Sequence, residues 1–407
     1  MPVIDTPVQI ALEEKYGAHN YHPLPVVLSR GRGVYVWDTE QNRYLDFLSG
    51  YSALNQGHCH PVIIEALTNQ AQKLTLTSRA FYNDRLGPYE QFLCTYFGYD
   101  KLLPMNTGVE AVETAIKLCR KWAYQYKKIE ENNAIVIVCE GNFHGRTSTV
   151  ISFSSDHDSK NQFGPYMPGF VTIPYDDIEA LKLALTDKRV AGFLVEPIQG
   201  EAGVVVPTDG YLRAAFEACQ QANVLFIADE IQTGLGRTGA RLACDHEEVR
   251  PDILILGKAL SGGTLPVSAV LADDEIMLVI QPGQHGSTYG GNPLACAVAE
   301  ASITAIENEN MADNANEMGV RFRTGLQQLN SPHIALVRGK GLMNAVVIDH
   351  PDPEAAWKLC ITMMQQGLLA KPTHGDKIRF APPLVITADQ IDEALKIIEN
   401  SLSILDR

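Results

Sequence analysis

Residues 224–239 read VLFIADEIQTGLGRTG, and this stretch decides which fold class we predict. Five apolar residues, Val224 to Ala228, precede the carboxylate pair Asp229 and Glu230, and a glycine-rich loop follows. A short run that is apolar throughout is typical of a strand buried on both faces, as in a parallel sheet covered by helices. Because ligands of such sheets bind at the carboxyl ends of the strands, we expect Asp229 to lie in a binding site.

A lysine, Lys258, lies just beyond a second strand candidate. Burying an ammonium group is unfavourable unless the group is paired or used covalently. On its own, Lys258 could equally be an ion-paired structural residue. An acid and a lysine at the ends of adjacent strands together favour a cofactor that forms a Schiff base with Lys258 and whose ring nitrogen is held by Asp229.

The stretch from Asp229 to Gly263 resembles the signature of the class III aminotransferases, which are pyridoxal-phosphate enzymes of fold type I. The resemblance extends over nearly the whole chain, from about Tyr16 to Leu402. In chain order, the matching motifs are YGAHNYHPLPV, YSALNQGHCHP, LTLTSRAFYN, MNTGVEA, VEPIQGEAGV, HGSTYGGNPL and LLAKPTHGDKIRFAPPL. Within the family, these motifs are most similar to those of members that transaminate ornithine.

The resemblance implies an α/β protein with a large domain, built on a mostly parallel central sheet flanked by helices, and a smaller α+β C-terminal domain. We predict an N-terminal segment at 1–50, the large pyridoxal-phosphate-binding domain at 51–310 and the small domain at 311–407. The first segment should contain a β-hairpin with strands at 34–37 and 43–47. The other strand candidates are Ala134–Cys139, Gly192–Glu196, Val224–Ala228, Asp252–Leu256 and Val267–Leu271.

Helical periodicity and capping residues predict the main helices. One helix is expected over 110–127, and its apolar face comprises Val112, Ala115, Ile116, Cys119, Ala123 and Tyr126. A second begins near Pro293, since proline suits a first helical turn, and runs to about Asn308. The last helix follows the capping box at Thr387–Gln390. Beyond Met311 we expect shorter helices and strands.

The resemblance also assigns the contacts of pyridoxal 5′-phosphate. They are Thr107, Gly108, Val109, Phe143, Asp229, Gln232, Lys258, Ser287 and Thr288. Of the two catalytic residues, Lys258 would bond the cofactor and move a proton between the substrate carbon and cofactor C4′, and Asp229 would keep the ring nitrogen protonated. Gln232 would contact the phenolic oxygen. Phe143 would stack on the ring, although it could also be a core aromatic residue, and the neighbouring His144 stays unassigned.

Phosphate contacts are expected at two places. Residues Thr107 to Val109 precede the helix predicted at 110–127, and helix N-termini bind phosphate through free backbone N–H groups. By the family pattern, Ser287 and Thr288 reach the phosphate of the neighbouring subunit. This pattern implies a homodimer with active sites built across the interface. A hydroxyl-rich stretch of this kind is otherwise an ordinary turn.

Five residues are predicted by the resemblance to bind substrate: Tyr21, Tyr51, Arg146, Glu201 and Arg379. Arginine suits a carboxylate because it donates two parallel, charge-assisted hydrogen bonds. Arg146 and Tyr21 would hold the carboxylate at the far end of the substrate, and Arg379 would take the α-carboxylate of glutamate. Tyr51 would meet the α-amino group of ornithine, and Glu201 would mask Arg379 until glutamate binds. Taken singly, each could be a surface or structural residue.

We therefore expect an aminotransferase that converts L-ornithine and 2-oxoglutarate to glutamate 5-semialdehyde and L-glutamate by a ping-pong reaction. An acetylornithine or GABA aminotransferase of the same family is the alternative. Tyr21 and Tyr51 speak against both, because neither substrate has a free α-amino group to meet Tyr51. A non-catalytic binding protein with the same fold is a third possibility, and the presence of Lys258 and Asp229 speaks against it.

Composition argues against other classes of function. The net charge of −15 is unsuited to binding nucleic acid, which needs a positive surface. No apolar run approaches the ~20 residues that cross a bilayer, so we expect no membrane partner. His58-Cys59-His60 resembles metal ligands, but no second cluster has zinc-site spacing, and we expect no metal.

The same features bear on the compartment. The N-terminus has neither the basic nor the apolar region of a secretory signal. Eight scattered cysteines without a C-x-x-C pair suit reduced thiols. We expect a cytoplasmic protein, and an organelle presequence removed before residue 1 is also compatible with the sequence.

Overall fold

The structure is a computed structural model that describes residues 5–406. Its strands are β1 (Leu28–Arg32), β2 (Tyr35–Asp38), β3 (Arg43–Asp46), β4 (Lys101–Met105), β5 (Ile135–Cys139), β6 (Phe170–Ile173), β7 (Val190–Val195), β8 (Leu225–Asp229), β9 (Ile253–Leu256), β10 (Ser268–Ala272), β11 (Ile334–Lys340), β12 (Met343–Ile348), β13 (Leu368–Leu369), β14 (Lys371–Thr373) and β15 (Lys377–Phe380). The α-helices are α1 (Thr6–Tyr16), α2 (Ser49–Ser52), α3 (Pro61–Ala71), α4 (Leu86–Phe97), α5 (Gly108–Trp122), α6 (Ser148–Phe153), α7 (His157–Lys160), α8 (Ile178–Ala184), α9 (Tyr211–Gln221), α10 (Asp274–Met277), α11 (Pro293–Asn308), α12 (Met311–Gln328), α13 (Ala355–Gln365) and α14 (Ala388–Leu402).

The predicted strand at 224–228 becomes β8, the middle strand of a seven-stranded sheet with the order β4-β10-β9-β8-β7-β5-β6. From β9 to β6 the neighbours run parallel, and β10 is antiparallel to β9 and β4. Every residue of β5, β7, β8 and β9 is buried. Two apolar clusters, one including α5 and one including α8 and α9, pack with these strands. The predicted α/β fold with a mostly parallel central sheet is confirmed.

Helix α5 differs from its prediction at both ends. It begins at Gly108, because the Thr107 hydroxyl and the Glu110 carboxylate form a capping box that fixes its first turn. At Ala123 it changes to a π-helical turn over Ala123–Lys127. The prediction that Tyr126 lies on the buried face is wrong, since its side chain is 52% exposed. A π turn contains more residues than an α turn. The residues after Ala123 are therefore rotated relative to the buried face of α5, and Tyr126 turns away from the sheet.

The C-terminal helices show one correction. Helix α11 has the predicted bounds, and the capping box of Thr387 and Gln390 precedes α14 as expected. The expectation of shorter helices beyond Met311 is wrong for α12, which has 18 residues. Its glycines weaken helical propensity, but Gly319 packs so closely that a Cβ atom would lie 1.9 Å from the Gly341 carbonyl oxygen. Tertiary packing therefore outweighs local propensity.

Two smaller sheets bring distant parts of the chain together. The predicted hairpin is formed by β2 and β3, and β13 pairs with β3 in parallel in the order β1-β2-β3-β13. The other sheet has the order β11-β12-β15-β14. Because β13 is anchored to the N-terminal hairpin, the adjoining β14 and β15 are carried towards the same region of the molecule. The three-part domain division stays a prediction.

Other sequence features have ordinary structural partners. His58 Nε2 lies 2.7 Å from an Asp46 oxygen, and His60 Nε2 lies 2.9 Å from a Glu309 oxygen. No group of three or more metal-ligating side chains was found within residues 5–406. All eight cysteines are free thiols in the structure. No helix in the described part of the chain is long and apolar enough to cross a membrane.

Candidate active site

A cavity of about 190 Å³ opens at the carboxyl ends of the parallel strands. Its walls come from α5, from the loops after β5 and β7, and from the segments that follow β8 and β9. The lining residues are Gly108, Val109, Phe143, His144, Gly145, Glu196, Ile198, Asp229, Ile231, Gln232, Thr233 and Lys258. Six of the nine predicted cofactor contacts are among them, so the structure brings together most of the set.

Lys258 begins a short 3-10 helix directly after β9 and Gly257. Its backbone is in the left-handed region at φ 42°, which a side chain other than glycine adopts only when its surroundings enforce it. Burial lowers the pKa of Lys258 to about 8, and the charge of Glu201 opposes this effect. A lowered pKa provides neutral, nucleophilic amine near physiological pH.

Asp229 is the last residue of β8 and is buried. Its Oδ2 lies 2.7 Å from Nδ1 of His144, and its Oδ1 accepts the Ile231 N–H at 3.1 Å. Although burial lowers the pKa of His144, the hydrogen bond and the charge of Asp229 raise it above its ordinary value. Glu230 points elsewhere, accepting hydrogen bonds from the Thr233 hydroxyl and the Cys244 N–H. Of the carboxylate pair, only Asp229 faces the cavity.

The sequence prediction missed Glu196, which lines the same cavity. Glu196 comes directly after β7, at the same edge of the sheet as Asp229 at the end of β8. Oε1 of Glu196 accepts the Phe143 N–H at 2.8 Å. Burial raises the pKa of Glu196 to about 7, while the charge of His144 opposes the rise. The signal was present, because the strand candidate Gly192–Glu196 also ends in a carboxylate at the edge where ligands bind.

The first turn of α5 supplies a site for an anion. Its prediction needs one correction: Gly108 and Val109 lie inside the helix, with Thr107 as the N-cap. The first N–H groups of a helix lack acceptors within it and attract negative charge. A Cβ atom on Gly108 would lie 3.0 Å from Ile231, and one on Gly145 would lie 2.4 Å from Val109. Glycine is therefore required at position 145, where φ is 116°, whereas a side chain at position 108 would need the Ile231 side chain to shift.

Phe143 lines the cavity and is only partly buried, so the core-aromatic alternative does not apply. The guanidinium carbon of Arg146 lies 5.8 Å from the centre of its ring. Arg146 itself is exposed at the mouth of the site. An exposed arginine beside a cavity-lining ring can receive a carboxylate that enters from solvent.

Arg379 and Glu201 form an ion pair next to the cavity. Arg379 Nη1 donates to Glu201 Oε1 at 2.9 Å and to Gln232 Oε1 at 3.2 Å. Burial acts to raise the pKa of Glu201, but the charges of Arg379 and Lys258 outweigh this effect and hold that pKa below its usual range. Nε of Arg379 is buried and has no hydrogen-bond partner among the described residues. The guanidinium therefore keeps a donor for a further acceptor.

Tyr51 lies against this arginine, with its ring centre 4.8 Å from the guanidinium carbon. Its φ of 59° lies in the left-handed region, within a turn that also contains Gly50 at φ 56°. Burial raises the pKa of Tyr51, and the charge of Arg379 opposes the rise. The neutral phenol can donate or accept a hydrogen bond at the substrate side of the pair.

Other predicted residues lie outside the cavity lining. Tyr21 is 66% exposed, and the amine of Lys371 lies 5.9 Å from its ring centre. Ser287 Oγ accepts from Asn106 Nδ2 at 3.1 Å, close to the first turn of α5, whereas Thr288 is exposed. The structure of one chain thus leaves Tyr21 and Thr288 at the surface.

The donor set of the cavity fits pyridoxal phosphate. A buried carboxylate suits a protonated ring nitrogen, an amine of lowered pKa suits an aldehyde, and a helix N-terminus suits a phosphate. Phe143 adds an aromatic face. A cavity with this combination can bind an anionic aromatic aldehyde and move protons beside it.

Comparisons with known proteins agree with this chemistry. The chain matches the family model described as Aminotransferase class-III over residues 16–402. The mitochondrial ornithine aminotransferase of Rattus norvegicus is 60% identical over 390 residues, which cover 96% of this chain and 89% of the rat protein. An ornithine aminotransferase structure from Toxoplasma gondii, with PLP at partial occupancy in its active site, has a TM-score of 0.98 at 50% identity and covers 100% and 96% of the two chains. An acetylornithine aminotransferase structure from Elizabethkingia anophelis has a TM-score of 0.91 at 56% identity and covers 98% and 99%.

Proposed function

The chain belongs to the class III aminotransferases, and from that premise we propose that it transfers the δ-amino group of L-ornithine to 2-oxoglutarate. As a member of this family it is a pyridoxal-phosphate-dependent transaminase. The products would be glutamate 5-semialdehyde and L-glutamate. The two half-reactions would share one site in a ping-pong sequence.

We assign the cofactor to the cavity after β8 and β9. When bound, pyridoxal phosphate supplies an electron-withdrawing ring that stabilises negative charge on the reacting carbon. Asp229 would hold the ring nitrogen, Lys258 would bond the cofactor covalently and later move the proton, and Gln232 would face the phenolic oxygen. The first turn of α5, from Gly108, would hold the phosphate.

The pair of Arg379 and Glu201 is the observation that carries the proposal. Glutamate and 2-oxoglutarate place a carboxylate next to the reacting carbon, whereas ornithine, reacting through its δ-amine, places only a methylene there. Arg379 suits the carboxylate, and Glu201, bonded to it at 2.9 Å, neutralises it when no carboxylate is present. Without Glu201, a buried arginine would face a methylene, at a cost of up to ~3–5 kcal/mol.

Selection of the δ-amine also depends on the far end of the substrate. We propose that Arg146 and Tyr21 bind the α-carboxylate of ornithine and that Tyr51 meets its α-amino group. In acetylornithine the α-amino nitrogen carries an acetyl group, and GABA has no α-amino group. Tyr51 therefore favours ornithine. Acetylornithine is the second candidate substrate, because an acetylornithine aminotransferase is 56% identical to this chain.

A substrate comparison tests the proposal. The purified protein with pyridoxal phosphate and 2-oxoglutarate would be given ornithine, acetylornithine or GABA in parallel. We expect ornithine to have the highest kcat/KM, with o-aminobenzaldehyde trapping the cyclised semialdehyde and a glutamate assay common to all three reactions. A higher kcat/KM for acetylornithine or GABA would replace the proposed substrate.

Removing Glu201 should affect the two half-reactions unequally. In Glu201→Ala, Arg379 loses its charge partner but keeps its hydrogen bond to Gln232. Because leaving a buried charge unpaired is unfavourable, we expect the ornithine half-reaction to slow by about tenfold. The glutamate half-reaction should be spared or faster, and more ornithine should react through its α-amine. Single-turnover absorbance measures both rates. Equal losses in the two half-reactions would mean that the pair is structural.

We propose that the protein is a homodimer in which Thr288 reaches the phosphate site of the partner. Thr288 is exposed here, and its neighbour Ser287 is tied to Asn106 beside the first turn of α5. Light scattering should give twice the mass of one chain, and Thr288→Ala should weaken cofactor retention. A single-chain mass at assay concentration would contradict the shared-site arrangement.

The cytoplasmic location also stays a prediction. The sequence favours it, whereas the rat relative is named as a mitochondrial protein. Cell fractionation followed by immunoblotting would locate the protein, and recovery with mitochondria would reject the cytoplasmic assignment.

A further inference from the structure

Three neighbouring strands of the central sheet end beside the cavity, and the region after each supplies one ionisable side chain. Because Val195 of β7 pairs with Ala228 of β8, the residues that follow, Glu196 and Asp229, reach the same edge in register. His144 comes from the loop after β5, the strand on the other side of β7. The function proposed above uses only Asp229 of these three.

Glu196 holds the loop that carries Phe143. Its Oε1 accepts the Phe143 N–H at 2.8 Å, and its main-chain carbonyl accepts the Tyr175 hydroxyl at 3.1 Å, which anchors the end of β7. The residue is 8% exposed, so water does not readily replace these partners. A carboxylate is also a stronger acceptor for an N–H group than a neutral oxygen. Removing it would release the backbone from which the Phe143 ring projects over the cavity.

The His144 imidazole contacts the carboxylate at the end of β8 and lines the same cavity as Glu196. Its Nδ1 contacts Asp229 at 2.7 Å, whereas its Nε2 is buried without a hydrogen-bond partner among the described residues. A buried imidazolium is stable only where negative charge lies nearby. Asp229 and Glu196 provide that charge, and both raise the pKa of His144 against the effect of burial. Lys258, Cys139 and Tyr175 are further ionisable groups whose charges interact with that of Glu196.

We propose that Glu196 is a positioning residue of the cofactor site: it fixes the Phe143 ring through the Phe143 N–H and supports the adjoining His144, which holds the Asp229 carboxylate in place. This inference rests on the proposed cofactor contacts of Phe143 and Asp229 and is independent of which amine donor the enzyme accepts.

Two substitutions separate the two contributions. Glu196→Gln keeps an oxygen acceptor for the Phe143 N–H and loses the charge, whereas Glu196→Ala loses both. Glu140→Gln is the matched control, since Glu140 follows β5 as Glu196 follows β7 but is exposed. The readouts are the pKa of His144, followed by NMR in cofactor-free protein labelled with ¹⁵N-histidine, and the dissociation constant of pyridoxal phosphate. His144→Gln assigns the resonance.

We expect the pKa of His144 to fall by about one in both Glu196 variants, a tenfold change in its protonation equilibrium. Pyridoxal phosphate should bind less tightly to both, with Glu196→Ala about tenfold weaker than Glu196→Gln because it also loses the oxygen acceptor for the Phe143 N–H. Glu140→Gln should match the parent protein in both measurements. An unchanged pKa of His144 in a folded Glu196→Gln protein, or equal cofactor affinity in the parent and both variants, would overturn the inference. If Glu196→Ala does not fold, the result for Glu196→Gln still decides it.

Discussion

Replacing Lys258 with alanine is expected to lower kcat by at least about 10⁴-fold while the protein still binds pyridoxal phosphate. The amine is the only covalent anchor that we assign to the cofactor, and it would also carry the proton during transfer. The remaining contacts, such as Asp229 and the first turn of α5, would retain the cofactor non-covalently. The loss should therefore appear in kcat and leave cofactor content nearly unchanged.

Borohydride trapping identifies the anchoring lysine directly. Reduction of the cofactor-loaded protein should leave a stable pyridoxyl adduct on the peptide that contains Lys258. Lys127→Ala is the matched control, since Lys127 is also partly buried but donates to backbone carbonyls such as those of Val190 and Asn223. That control should keep both the adduct and the activity. An adduct on another lysine, or none, would contradict the assignment.

The lowered pKa of Lys258 gives this test a pH dependence. Only the neutral amine attacks an aldehyde, and its pKa of about 8 means that the neutral fraction rises as the pH increases through that value. Cofactor attachment to the cofactor-free protein should therefore accelerate between about pH 7 and 9 and then level off. A lysine with an ordinary pKa would continue to accelerate towards pH 10 or above.

The reactive strand ends could be predicted from the sequence because they depend on local patterns. Continuous apolar runs indicate buried parallel strands, and the residues that follow such strands meet at one edge. This reasoning placed Asp229 and Lys258 together, and β8 and β9 are indeed neighbours. The same reasoning applies to Glu196, which ends the strand candidate Gly192–Glu196 but was not among the predicted site residues.

Contacts that depend on tertiary structure could not be obtained in this way. Arg379 and Glu201 are 178 residues apart and meet where β15 lies beside the loop after β7, whose Glu201 carbonyl accepts the Thr373 hydroxyl of β14. Only the family resemblance indicated that pair. The outward rotation of Tyr126 has a similar origin, since a π turn that begins at Ala123 leaves no mark in the apolar pattern.

Asp229 is the second position at which a substitution should nearly abolish turnover. We propose that its negative charge keeps the cofactor ring nitrogen protonated, which matters most when negative charge develops on the substrate carbon. An interaction that strengthens in the transition state affects kcat more than substrate binding. We therefore expect Asp229→Ala to lower kcat by about 10³-fold, the loss found when a preorganised charge partner is removed.

Asp229→Asn separates the charge of this residue from its packing. Asparagine keeps an oxygen for the Ile231 N–H and can still hydrogen-bond to His144, so the fold should be preserved while the negative charge is lost. We expect kcat to fall by the same order as in Asp229→Ala, with a cofactor absorbance spectrum altered from that of the parent enzyme. Asp252→Asn is the control, because Asp252 precedes β9 at the opposite edge of the sheet and bonds the Phe226 N–H. Near-parent kcat in Asp229→Asn with the cofactor bound would mean that another group protonates the ring nitrogen.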